Sequence, residues 1–70
     1  MEITATKLAY LERKLQSLEK DYYGYKEAGF NKQAEYTWYK IHGMLDVLNE
    51  FGFVHQYDEN MLVHIVKAEE

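Results

Sequence analysis

Three histidines, His42, His55 and His64, are the soft metal donors of this chain, and no cysteine accompanies them. A structural zinc site needs closely spaced donor pairs. Neither a His-x3-His pair nor a Cys pair is present, so the spacing predicts no metal, and the imidazoles are expected only to give mild pH dependence. Asp46 and Glu50 stand four residues apart, which on a helix puts both carboxylates on one face. Such a pair can do acid–base work where water is excluded. A chain of 70 residues has little room for so closed a pocket. Ser17 has no histidine at helical spacing, and Gly24, Gly29, Gly43 and Gly52 are isolated, so neither a nucleophile nor a phosphate loop is built. The expectation is a non-enzyme without cofactor.

The chemistry that remains is recognition. Twelve acidic and eight basic residues give a net charge of -4. The imbalance is local. Residues 1–40 carry seven basic and six acidic side chains, whereas residues 41–70 carry Lys67 against Asp46, Glu50, Asp58, Glu59, Glu69 and Glu70. A field of this sign attracts a basic partner and speeds its arrival. Seven of the eleven aromatic residues are tyrosines, and Tyr10, Tyr23, Tyr36 and Tyr39 fall off the apolar stripes described below. A rigid ring with a polar tip suits a half-desolvated contact. Asp46, Glu50, Asp58 and Glu59 are therefore expected to stand in for phosphates, with Tyr36 and Tyr39 adding contact area. The expected partner is a basic nucleic-acid-binding protein, and not nucleic acid itself.

Composition excludes other classes. Without cysteine there is no disulfide framework. An apolar fraction of 47% is too high for a disordered acidic tail. No run approaches the roughly 18 apolar residues of a membrane span, and the start, Met1-Glu2-Ile3-Thr4, does not read as a signal peptide. A cytoplasmic location is expected.

The elements that must position these residues follow from periodicity. Leu8, Leu11, Leu15, Leu18, Tyr22 and Tyr25 alternate steps of three and four, an a/d seam over three heptads. This predicts a helix over about residues 4–28, with Thr4 as N-cap, Ile3 and Leu8 as a hydrophobic staple, and a Schellman stop at Gly29-Phe30. A second helix is predicted over about 31–51, capped by Asn31, with a broad stripe of Ala34, Trp38, Ile41, Leu45 and Leu48 widened by Met44, Val47 and Phe51. The short connection makes an antiparallel helical hairpin. Residues 53–66 hold two β-branched and aromatic runs around Asp58-Glu59-Asn60, which predicts a β-hairpin with a three-residue loop and Asn60 as its left-handed residue; a third helix is the alternative. Tyr57 would then face Met61, His55 face Val63 and Phe53 face Ile65, six side chains on one buried face. Residues 67–70 form a charged tail. The fold class is α+β, in the order ααββ, as a single domain.

A chain this small is expected to need a further staple, and self-association is the one left open. In a parallel coiled coil through the first helix, the g and e positions pair Lys7 with Glu12, Lys14 with Glu19 and Asp21 with Lys26, opposite in sign each time. Leu8, Leu11, Leu15, Leu18, Tyr22 and Tyr25 would form that homodimer interface. Gly24 and Gly43, inside predicted helices, suggest either close helix approach or local fraying.

Three family resemblances bear on function. Residues 18–41, through Leu18, Tyr25, Gly29-Phe30, Ala34, Trp38 and Ile41, resemble one tetratricopeptide-type hairpin, which implies shared hairpin packing. Residues 45–66 resemble the end of a recognition helix and the wing of a winged-helix protein. That resemblance implies a DNA-binding regulator with Lys32 and Lys40 on phosphates, although the wing position reads Asp58-Glu59-Asn60 and the segment has no Arg. At class level, the small, acidic, Cys-free, Tyr-rich chain is similar to bacteriophage-encoded inhibitors that mimic DNA. This implies a dimeric acidic decoy that occupies the nucleic-acid site of its partner. A structural coiled-coil assembly module is the remaining alternative.

Overall fold

The computed structural model describes residues 3–68. Helix α1 spans Ala5–Ala28 and helix α2 spans Asn31–Glu50; strands β1, Phe53–Tyr57, and β2, Val63–Lys67, follow as an antiparallel pair. The ααββ order is as the sequence predicts. Lys67 belongs to β2 and not to a tail, and the last two residues of the expected 67–70 tail lie outside the described residues.

The ends of α1 are set locally. The Thr4 hydroxyl accepts the Lys7 amide at 3.2 Å, and Ile3 and Leu8 both pack against the core. At the other end Gly29 adopts φ 83°, and the amides of Gly29 and Phe30 donate to the carbonyls of Lys26 and Tyr25, closing a Schellman motif. Phe30, not Asn31, then occupies the N-cap of α2, and no side chain caps it. The Schellman turn uses only two residues, so Asn31 is already helical.

The core joins Leu15 of α1, Ile41 and Leu48 of α2, and Val63 and Ile65 of β2. Leu8, Leu11, Leu18 and Tyr22 pack around it. Five of the six α1 seam residues expected to meet a second copy, Leu8, Leu11, Leu15, Leu18 and Tyr22, thus pack within the chain, Leu15 at 0% exposure, whereas Tyr25 is half-buried outside that cluster. The broad stripe expected on α2 is narrower. Ala34, Thr37, Ile41 and Leu48 are buried, whereas Trp38, Val47 and Phe51 are exposed. α1 and the hairpin cover only one side of α2, and residues a quarter-turn away are left out. Thr37 enters the interface because its hydroxyl donates to the Gln33 carbonyl at 2.8 Å.

The hairpin register differs from expectation by two residues. Tyr57 pairs with Val63, His55 with Ile65 and Phe53 with Lys67. The loop is therefore Asp58 to Leu62. The Asp58 carboxylate accepts the amides of Asn60 (2.8 Å) and Leu62 (3.0 Å), and the Asp58 amide donates to the Leu62 carbonyl (3.0 Å). Those bonds favour the longer loop, and they place Met61, not Asn60, in the left-handed region at φ 64°. Of the six side chains expected on a buried face, Val63 and Ile65 are buried and Phe53 is half-buried, but His55, Tyr57 and Met61 are exposed. Strand β2 carries the buried alternation, and β1 is the outer strand.

One polar row of α1 holds this hairpin. Glu12 accepts the Ile65 amide at 2.8 Å, Gln16 donates to the Val63 carbonyl at 2.8 Å, and Glu19 accepts the Tyr57 hydroxyl at 2.5 Å. Glu12 and Glu19, read as interchain partners of lysines, serve the chain's own strands.

Leu15→Ala is expected to cost about 3 kcal/mol or more in denaturant unfolding, as a core truncation. A change in particle mass with stability intact would show instead that Leu15 serves a partner.

Candidate functional site

The residues expected to act together are carried by two elements, α2 and the hairpin loop. Asp46 and Glu50 lie exposed on the outer face of α2, and Glu59 is exposed in the hairpin loop. Asp58 is half-buried and already engaged. Its outer oxygen accepts from His64 Nε2 at 2.8 Å, so it is a loop-closing residue and a poor phosphate mimic. Tyr36 and Tyr39 are exposed, but their company includes a cation: the Lys40 ammonium lies 4.6 Å from the Tyr36 ring centroid, and the Tyr39 hydroxyl meets Glu35 at 3.4 Å. The outer face of α2 is thus bipolar, basic around Lys32 and Lys40 and acidic around Asp46 and Glu50.

His64 is held between two carboxylates. Nε2 faces Asp58 and Nδ1 lies 3.5 Å from Glu12. The carboxylates beside it raise its pKa above the ordinary histidine value, led by the bond to Asp58 against a partial desolvation. The same bond, with the loop amides, holds the Asp58 carboxyl below its ordinary value. Because the two acids occupy opposite ring nitrogens, the trio does not converge on one point. Among the described residues no group of three or more His, Asp or Glu is arranged to hold a metal ion. Sequence spacing missed this cluster, because Glu12 and His64 meet only through the tertiary fold.

A second feature went unpredicted. Tyr57, Met61 and Leu62 of the hairpin and Tyr23 of α1 line an open groove, with Arg13 and Lys20 among its walls. The Tyr57 hydroxyl is fixed to Glu19 at this wall, and partial burial followed by that bond pushes its pKa up to about 12. It remains a donor throughout the neutral range. Met61 is 73% exposed and Leu62 47% exposed. A bulky residue in the left-handed region is strained by about 1 kcal/mol, and nothing within the chain repays it with burial. No helix among the described residues is long and apolar enough to cross a membrane.

The pH dependence of stability follows from His64 and Asp58. A raised histidine pKa contributes stability in full below the unfolded value of 6.5 and loses it as pH rises through the folded value. A lowered aspartate pKa contributes above 3.8 and loses it as pH falls through the folded value. The hairpin is expected to be firmest between these limits, about pH 4 to 6.5. Denaturant midpoints across pH should fall on both sides of this window, and His64→Asn should remove the fall on the alkaline side. A variant whose alkaline profile matched the parent would refute the assignment.

Comparison of the chain with family models, with curated proteins and with solved structures finds no match.

Proposed function

We propose that this chain is a non-catalytic protein-binding module whose groove between α1 and the hairpin receives an apolar segment of its partner. Met61 carries the reading. The Asp58 loop bonds set its backbone at φ 64°, but nothing in the chain's own packing calls for a large apolar side chain there, and it is 73% exposed. Local rules broken without internal compensation mark functional positions. Tyr23, Tyr57 and Leu62 extend the apolar surface, and rigid aromatic and aliphatic anchors of this kind dominate binding energy. Arg13 and Lys20 at the wall favour acidic residues flanking the bound segment. The loop is stiffened beforehand by Asp58 and by the Tyr57–Glu19 bond, which lowers the entropy lost on binding.

A second reading is the acidic decoy for a basic nucleic-acid-binding protein, favoured by the exposed pair Asp46 and Glu50 and by a 41–70 segment whose single base is Lys67. Its carboxylates would be Asp46, Glu50 and Glu59, with Tyr36 and Tyr39 alongside. Capture that vanishes with added salt identifies this reading, whereas groove binding persists in salt.

Selection from a random peptide library should return apolar sequences with acidic flanks. Met61→Gly separates binding from folding: it is expected to stabilise the chain by about 0.5–1 kcal/mol through relief of strain, while peptide capture is lost. Retained capture by this variant and by Met61→Asp would remove the groove from the function.

A further inference from the structure

Gly43 sits in the middle of α2, where glycine is disfavoured against alanine. Nothing within the chain lies within 4 Å of the position its Cβ would take. No close approach inside one copy therefore calls for glycine here. The same helix face carries Tyr36, 59% exposed, Tyr39, 62% exposed, and Val47, 54% exposed. With Glu50, the positions 36, 39, 43, 47 and 50 step by three, four, four and three, a short seam opposite the buried one. Charge is uneven about its middle, with Lys32 and Lys40 against Glu35 before Gly43 and Asp46 and Glu50 without a base after it. Lys40 is already held on this face by its contact with the Tyr36 ring.

We propose that the outer face of α2 pairs with the same face of a second copy, antiparallel, with the helices crossing at Gly43. A two-fold axis there brings residues equidistant from Gly43 level with one another: Lys40 with Asp46 of the second copy, Tyr39 with its Val47, and Tyr36 with its Glu50. The basic half of each helix meets the acidic half of the other. A parallel pair would instead set Asp46 against Asp46 and Lys40 against Lys40. Glycine at the crossing lets the backbones approach, which explains its presence in a helix interior. The pairing uses neither the buried α1 seam nor the groove at Met61, so it stands apart from the binding reading above.

Sedimentation equilibrium of the full chain over a wide concentration range tests this. Mass is expected to rise reversibly from one chain to two. Gly43→Leu should raise the melting temperature of the single chain, since leucine favours helix, and yet weaken association. Lys40→Asp and Asp46→Lys should each weaken association by about tenfold, and the double variant should restore it. Met61→Asp should leave association unchanged. Single-chain mass at every concentration would overturn the proposal, as would a dimer indifferent to Gly43→Leu or one not rescued by the double reversal. A single-chain particle that binds polylysine through Asp46 and Glu50 would give this face to a basic partner instead and equally overturn the pairing.

Discussion

Strand β2 has two edges, and only one of them faces another strand. On the other edge the Ile65 amide and the Val63 carbonyl point at α1, and Glu12 and Gln16 take them up. A two-stranded sheet is marginal by itself in water. A buried backbone group without a partner costs about as much as a lost hydrogen bond. The side chains of α1 therefore act as a missing third strand. With that edge satisfied, Val63 and Ile65 can be buried without orphaned polar groups, and they close the core over Leu15. Among the described residues no buried side-chain polar atom lacks a partner.

The same constraint explains which features were legible in the sequence. The ends of α1 were readable because their signals are local: the Thr4 hydroxyl and the Gly29 turn act within a few residues. The hairpin was readable from β-branched runs, and a register error of two residues kept every side chain on its face, because strand periodicity is two. The loop was misjudged because the Asp58 carboxylate, not the preference of Asn60 for left-handed backbone, decides its length. The α1 seam was ambiguous for a deeper reason. A leucine stripe flanked by charges looks alike whether it meets a second copy or the chain's own strands. Glu12 and Glu19 matched lysines in heptad arithmetic, yet their partners lie roughly fifty and forty residues away, at the Ile65 amide and the Tyr57 hydroxyl. Trp38 was read into the α2 stripe by its spacing, whereas the smaller Thr37 fits the helix interface and hydrogen-bonds its own backbone.

Functional surfaces emerge where the fold leaves residues unexplained. Of the site read from charge alone, Asp58 is engaged in closing a loop, Glu59 lies in that loop, and Asp46 and Glu50 share α2 with lysines. Met61 and Gly43 stand out, the one for an apolar side chain left exposed and the other, like Gly24 of α1, for a helical glycine with open space beside it. The first presents an apolar side chain on a stiffened loop. The second leaves an open notch on an aromatic helix face. Sequence inspection could flag the helical glycine, but the strain at Met61 exists only once the loop length is known.

The central claim is that α1 serves as a strand for β2, and amide hydrogen exchange at Ile65 tests it most directly. Glu12 places that amide in a hydrogen bond, so it should exchange about as slowly as amides of the helical core. In Glu12→Ala its protection should fall sharply, while the amide of Leu15 stays protected. An Ile65 amide that exchanges like an open sheet edge in the parent chain, or that is untouched by Glu12→Ala, would contradict the account.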